Sequence, residues 1–356
     1  MKRTTIRDVA RLSGFSSATV SHVINGTRFV SEETRLRVLQ AIETLHYRPS
    51  ALARSLSTNV THSIGVIVSD ITNPFFTSVV RAISDAALQR GYLITVCNTD
   101  ADVDQERKII DNLLAKRVDG LIIAPIDSDA EHFGEIMRHG TPLVFIDRGL
   151  SPSLVSTVCV DNRLGTRQAI EHLILDGHRD IAMILGRRTL KTSDERYAGY
   201  CDALKAHSLP LRERWVRWSN SHISGGFKTT RDILGLSRRP SAIFVGNNMM
   251  TLGSLHALQQ AGIRIPDDLA VIGFDDHDWA PIFTPPLSVV RQPTNEIGLL
   301  AVEVLFRYLD GHSTEPETIR LVPELVVRGS CSSACLESYK PAQLANQPDA
   351  TRERRN

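Results

Sequence analysis

Residues 5–25, TIRDVARLSGFSSATVSHVIN, constrain the chain more than any other stretch, because they describe two short amphipathic helices joined by a glycine turn. Ile6, Val9 and Ala10 repeat at the i, i+3, i+4 spacing of a one-sided helix. Thr5 and Asp8 stand in the relation of a capping box. Gly14 stops this helix and Ser16 is placed to cap the next. Val20, Val23 and Ile24 give the second helix its apolar side, which leaves Ser17, Ala18, Ser21, His22 and Asn25 on the other. Small and polar side chains on an exposed helix can approach base edges in a DNA major groove. An ordinary α-hairpin shares the spacing, so the spacing by itself does not establish DNA binding.

Charge is segregated along the chain. The segment through residue 60 carries a net charge of +5 and the remainder −4, which sum to the overall +1. A basic head on a mildly acidic body suits phosphate contact confined to one end. The 356 residues leave room for more than one domain. Met1–Arg11 is charged and lacks the apolar core of a secretory signal. No apolar run reaches the ~18–20 residues that span a membrane. The five cysteines are scattered at positions 97, 159, 201, 331 and 335. Cys97 and Cys159 fall in strand-like apolar runs and read as buried thiols. Cys331 and Cys335 lie in a polar stretch without neighbouring ligands, which disfavours a metal site. Together these features point to a reducing cytoplasm.

A third helix is expected from Ser31 to Leu45, with Glu32 and Glu33 favourably placed in its first turn. Leu36, Leu39, Ile42 and Leu45 form a stripe able to close a three-helix headpiece. Pro49 ends that unit, and Ser50–Leu56 has the length of about two helical turns. Because helices shorter than ~12–15 residues are marginal alone in water, this stretch should order only when docked. From Ser63 the pattern changes to short apolar runs alternating with helical segments. The runs are Ile64–Val68, Leu93–Cys97, Gly120–Ala124, Leu143–Ile146, Val155–Val160, Ile181–Leu185, Ala242–Val245, Ala270–Phe274 and Leu287–Val290. Such alternation builds doubly wound parallel sheets, and this many strands predict two sheets, hence two lobes. The expected organisation is a headpiece at 1–46, a linker at 47–62, an α/β core at 63–330 and a polar, disordered tail at 331–356.

Ligands of open α/β sheets bind beyond the carboxyl ends of the strands, and those ends are polar here. Ile64–Val68 runs into Ser69, Asp70, Asn73, Pro74, Phe75 and Phe76, where Asn-Pro starts a helix. The other runs end in Asp147 and Arg148, in Asp161 and Asn162, in Asn247 and Asn248, and in Asp275 and Asp276. Carboxylates and amides beside aromatic rings suit a small polyhydroxylated ligand. Singly each Asp or Asn is as well explained by a helix cap or a turn; as a set they favour a cleft. Arg148 and Arg196 are candidates to clamp a carboxylate, phosphate or diol. Catalysis finds no support: GxGxxG after a strand, GxxxxGK[ST], HExxH and GxSxG are all absent, and the histidines do not cluster.

From Thr5 to about Gly329 the chain resembles the lactose/galactose repressor family of bacterial transcription regulators. The resemblance is carried by TIRDVARLSGFSSATVSHVIN, by YRPSALARSL, and by SDITNPFF, KRVDGLIIAP, DNRLGTRQAIEHLILDGHRDIAMI and GFDDHDWAPIFTPPLSVVRQP. The headpiece TVSHVINGTRFVSEETR is most like the purine-repressor branch. The resemblance implies a homodimer reading a pseudo-palindromic operator, with Ser17, Ala18, Thr19, Ser21, His22, Asn25 and Arg28 at bases and phosphates of the major groove. It implies that Leu56 wedges into the minor groove, where unstacking costs a few kcal/mol recovered by contacts to bent DNA. Ser57 stands where the purine branch has lysine. The core is implied to resemble a periplasmic sugar-binding protein, with crossings near residues 160, 290 and 320. Its effector pocket is implied to use Ser69, Phe75, Phe76, Asp147, Arg196, Asn247 and Asp275.

Two departures bear on the effector. Leu190 replaces the purine branch's pocket arginine, and Ser221 falls near the place of its second aromatic, so a purine loses its main recognition groups. Asn248 replaces the aspartate common after Asn247, which hints at a less cationic or less hydroxyl-rich ligand. The family's tetramers use a C-terminal leucine heptad that this tail lacks, so a dimer is expected. The reading is a cytoplasmic, effector-switched DNA-binding regulator, more often a repressor, that needs no cofactor and no metal. Three alternatives remain open: a corepressor-activated regulator of the purine type, a solute-binding protein without DNA function, and a sugar-processing enzyme with a DNA-binding module.

Overall fold

The computed structural model describes residues 4–48, 60–126, 129–150, 154–312 and 315–331. Leu56, Ser57, most of the expected linker, Cys335 and the tail from 332 lie outside the described residues. The chain divides into two compact units after His62.

The first unit packs α1 (Ile6–Ser13), α2 (Ser17–Asn25) and α3 (Glu32–Thr44). Its caps follow the local chemistry. The Asp8 carboxylate accepts from the Thr5 backbone N–H at 2.9 Å and from its hydroxyl at 2.7 Å. Gly14 closes α1 at φ +79, a left-handed turn that side chains with a Cβ rarely adopt. The Ser16 hydroxyl accepts from the Thr19 N–H at 3.1 Å and so opens α2. Val9, Val20 and Val38 are fully buried, and Ala10 and Ala41 nearly so. Burying a valine contributes about 1.5–3 kcal/mol, a large share for so small a unit.

The stripe expected on α3 is displaced. Leu36 and Leu39 are 59% and 45% exposed, whereas Val38, Ala41, Ile42 and Leu45 turn inward. At ~100° per residue those four share one face, and Leu36 lies nearly opposite Val38. Leucine periodicity alone sets the wrong phase.

In the second unit all nine apolar runs form strands. The first sheet holds β1 (Ser63–Val68), β2 (Leu93–Asn98), β3 (Gly120–Ile123), β4 (Leu143–Asp147) and β5 (Ser156–Val160). Its helices are α4 (Pro74–Gln89), α5 (Val103–Ala115) and α6 (Ala130–Arg138). After β5 the chain crosses through α7 (Asn162–Leu175) into the second sheet. That sheet contains β6 (Ile181–Leu185), β7 (Val216–Trp218), β8 (Ala242–Val245), β9 (Ala270–Phe274) and β10 (Ser288–Arg291), with α8 (Lys191–Ala206), α9 (Ile223–Leu234) and α10 (Asn248–Gln260). Helix α11 (Thr294–Leu309) returns to the first lobe, β11 (Thr318–Leu321) joins its sheet, and β12 (Glu324–Val326) crosses a third time.

The strand orders are β11-β5-β4-β3-β1-β2 and β12-β10-β9-β8-β6-β7. Among the described residues all pairings are parallel except that of β10 with β12. Helices on both faces explain the uninterrupted apolar runs of the central strands. Strands β7, β11 and β12 were not anticipated, because they are short edge strands that mix charged and apolar residues. Two glycines let α9 and α10 touch: a Cβ on Gly226 would stand 2.1 Å from the Met250 carbonyl oxygen, and one on Gly253 would stand 2.0 Å from that of Ile223.

The expected end of the core at 330 also needs correction. Ser330 and Cys331 are fully buried. The Val271 N–H donates to the Ser330 carbonyl at 2.7 Å, and the Ser330 hydroxyl donates back to the Val271 carbonyl at 2.7 Å. Polar composition suggested a tail, but these residues satisfy their polar groups against β9 and the start of β10, so the packed core reaches Cys331.

Candidate functional site

Between the two lobes, at the carboxyl ends of their strands, lies a cleft of about 770 Å³ that opens to solvent. Ser69, Phe75, Phe76 and Asp147 line it from the first lobe; Arg196, Asn247 and Asp275 line it from the second. The cleft thus brings together all seven residues that the resemblance implies, six of them at or just after strand ends and Arg196 from within α8.

On the first lobe, Asn73 caps α4 by accepting from the Phe75 N–H at 2.9 Å, and Pro74 follows in the first turn. This start turns Phe75 and Phe76 into the cleft wall, packed edge to face with centroids 5.0 Å apart. Asp147 adopts φ +68 at the end of β4. Arg148 does not serve as a free clamp. Its guanidinium donates to the Pro125 carbonyl at 2.6 Å, to Asp147 Oδ2 at 2.6 Å and to Ser69 Oγ at 2.5 Å. It thereby holds two cleft residues in place. Burial pushes the Asp147 carboxyl above its usual range, against the pull of Arg148 and Arg196.

On the second lobe, Arg196 is buried with its guanidinium carbon 3.7 Å from the centroid of the Phe274 ring. Its Nε donates to Asn162 Oδ1 at 2.9 Å, and its Nη1 donates to the Gly246 carbonyl. Burial weakens its charged form, and Asp275, Asp147 and Glu195 work against that effect. Asp275, at φ +79, accepts from Gln292 Nε2 at 2.5 Å and from the Asn248 N–H at 3.2 Å. Asn247 caps α10 by accepting from the Met250 N–H at 2.8 Å, while its amide nitrogen donates to the Ser221 carbonyl at 3.0 Å.

Other strand-end residues have structural partners. Asp161 caps α7 through the Leu164 N–H at 2.9 Å. Asp70 closes a turn on Thr72. Asp276 is held by Arg328 and Arg291. Asn248, read from sequence as a hint about the ligand, is absent from the cleft wall; its amide instead crosses to the first lobe and donates to Asn73 Oδ1 at 2.6 Å.

Sequence reasoning missed Asp100, Arg187, Asn220, His222 and Gln292, all of which line the cleft. Arg187 follows β6 and Gln292 follows β10, so the strand-end rule would have found both. Asn220 and His222 follow the unanticipated β7 and carried no such signal. Arg187 also bridges the lobes by donating to the Ala101 carbonyl at 3.2 Å.

In the first unit, Ser17, Ala18, Asn25 and Arg28 are exposed, and Thr19, Ser21 and His22 are half-buried. Local bonds preset this face: Asn25 Nδ2 donates to Ser21 Oγ at 3.2 Å, and His22 Nδ1 lies 2.8 Å from Thr27 Oγ1. Thr19 Oγ1 is 2.9 Å from Ser16 Oγ, within the cap. No helix among the described residues is long and apolar enough to cross a membrane.

Residues 5–50 match the model of the bacterial regulatory proteins, lacI family, and residues 170–331 match the periplasmic binding protein-like domain. The chain is similar to the HTH-type transcriptional repressor PurR of Vibrio campbellii and to the ribose operon repressor of Escherichia coli. Each is 38% identical over 327 residues, which is 92% of this chain and 98% and 99% of theirs, respectively. Among solved structures, the Lac repressor dimer bound to operator and the anti-inducer ONPF superposes with a TM-score of 0.85 at 29% identity, covering 93% of this chain and all of that one. A LacI family regulator of Enterococcus faecium with bound ribose superposes with a TM-score of 0.69 at 27% identity, over 76% of this chain and 98% of its own. The chain therefore belongs to the lacI family of bacterial regulatory proteins and is a DNA-binding transcriptional regulator with a ligand-binding core.

Proposed function

We propose that the cleft takes a small polyhydroxylated effector, a sugar or sugar acid, and that this ligand switches the operator affinity of a homodimeric repressor in the cytoplasm. The observation that carries the reading is the convergence of Ser69, Asp147, Arg196, Asn247, Asp275 and Gln292 around one cleft with Phe75 and Phe76 in its wall. Hydroxyls of a sugar both donate and accept, which this mixture of carboxylates, amides and guanidinium groups can satisfy. The ring packs on the C–H face. The E. faecium relative solved with ribose supports the ligand class. Leu190 and Ser221 both line the cleft, so the positions that weaken purine recognition face the ligand.

In this reading the headpiece is 1–46, followed by a linker at 47–62. It reads the major groove with Ser17, Ala18, Thr19, Ser21, His22, Asn25 and Arg28. Effector binding changes how the lobes of the core sit together, and the paired linkers pass that change to the headpieces. Calorimetric titration of the full-length protein with pentoses, hexoses, their acids, hypoxanthine and guanine tests the reading. A saturable sugar isotherm that also alters operator affinity is expected; tight purine binding without any sugar response overturns it.

A further inference from the structure

The end of helix α7 brings a second chemistry to a place well removed from the strand ends. His172 and Asp176 stand four residues apart and thus on one face of the helix terminus. Cys331 is delivered against them by the last described stretch of chain. His172 Nε2 is 3.3 Å from Asp176 Oδ2 and 3.3 Å from Cys331 Sγ, and the three atoms all lie within 4.8 Å of one another.

Polar groups meet the thiol from behind, where it donates to the Arg328 carbonyl at 3.5 Å. The Ser288 hydroxyl donates to Sγ at 3.2 Å and accepts from the Arg328 N–H at 2.8 Å. Cys331 is fully buried, whereas the side chains of His172 and Asp176 are 20% and 25% exposed, which leaves an approach from solvent.

A single imidazole nitrogen facing both a carboxylate and a thiol is poorly served by one proton. If Nε2 carries hydrogen, that hydrogen is shared between carboxylate and sulfur; if not, the Cys331 thiol can donate to it, but the Asp176 carboxylate then faces its lone pair across 3.3 Å. A cation among the three atoms removes the conflict. Zinc bonds of about 2.0–2.3 Å at the tetrahedral angle place ligand atoms about 3.3–3.6 Å apart, close to the spacing about Nε2.

We infer that His172, Asp176 and Cys331 form a binding site for one divalent cation of zinc type. Thiolate, imidazole and carboxylate form a donor set that selects zinc over magnesium or calcium. On binding, the Cys331 thiol loses its proton to solvent and the Sγ–metal bond forms. The dication is then balanced by one thiolate and one carboxylate. The Ser288 hydroxyl donates to the thiolate, as outer groups do around metal-bound sulfur. A fourth position stays open to water. The ion would clip the carboxyl end of the core onto helix α7, so that stability of this lobe depends on the metal.

The test uses full-length protein, reduced and stripped with chelator, titrated with Co²⁺ and then Zn²⁺. One equivalent of Co²⁺ per chain should produce sulfur-to-cobalt charge transfer in the near ultraviolet, bleached by Zn²⁺, and Zn²⁺ should raise Tm. Cys331→Ser should abolish the charge-transfer band. His172→Gln and Asp176→Asn, which alter partly exposed side chains, should keep the native circular dichroism and weaken Co²⁺ binding about tenfold or more. They keep the test decisive if the buried cysteine variant fails to fold. A wild-type protein without a saturable band, or a band that survives in His172→Gln and Asp176→Asn, overturns the site.

Discussion

Asn248 Nδ2 donates to Asn73 Oδ1 at 2.6 Å, a bond that spans the cleft from the first residue of α10 to the cap of α4. Asn73 Oδ1 accepts at the same time from the Phe75 N–H, so the orientation of its amide is fixed. The two lobes are therefore joined by a donor that must come from residue 248. Asn248→Ala removes the bond and should weaken effector affinity by up to about tenfold, the equivalent of ~1.4 kcal/mol, with little change in Tm. Asn248→Asp sets acceptor against acceptor and should weaken it further. Calorimetric titration of both variants checks the order; an aspartate variant that binds as wild type would mean that the bond does not hold the lobes.

Arg196 combines two duties that a surface arginine would not have. It lines the cleft, and its guanidinium, over the Phe274 ring, also ties Asn162 on α7 to the Gly246 carbonyl. Arg196→Ala leaves the Asn162 side chain and the Gly246 carbonyl without their buried donor, while Asp147 keeps Arg148, and should cost about 1–3 kcal/mol of stability as well as the effector response. Arg196→Lys keeps the charge but loses the fork, and should fold yet bind effector poorly. Denaturant unfolding and effector titration of the two variants separate these effects.

The close approach of α9 and α10 depends on having no Cβ at Gly253. Gly253→Ala would place that carbon against the Ile223 carbonyl, a rigid backbone atom. The helices must separate, at a cost of about 1–3 kcal/mol, read as a lower urea midpoint with unchanged slope.

Asp276 gives the fold a defined acid sensitivity. Burial pushes its carboxyl up, but bidentate bonds from Arg328 at 2.9 and 2.7 Å, joined by Arg291, outweigh that and hold it below its usual range. A carboxylate with a lowered folded-state pKa contributes stability above its ordinary value of about 3.9 and loses it as pH falls toward the folded value. Asp276→Asn should therefore be less stable than wild type at pH 7, and the two should converge in acid. Parallel curves down to acid pH would contradict the assignment.

How far the sequence discloses this architecture depends on how strongly each element is buried. Central strands such as Ile181–Leu185 are apolar throughout because helices cover both faces, and they are legible. Edge strands such as Thr318–Leu321 alternate with Arg320 and blend into loops. The cleft was legible because doubly wound sheets place their ligands at strand ends. The division among those polar residues was not: Asn248 and Asp276 look like ligand groups in sequence and are held by Asn73, Arg328 and Arg291. Cys331 reads as tail because the groups it packs against, His172 and Ser288, lie far away along the chain.

The most direct test of an effector-switched operator reader is selection of bound fragments from the source genome by the full-length protein, at moderate and stated salt, with and without the sugar that calorimetry identifies. The expected result is a two-fold symmetric motif of roughly one and a half helical turns, whose enrichment changes when that sugar is present. No enriched motif under either condition, or a motif indifferent to every ligand of the cleft, would contradict it.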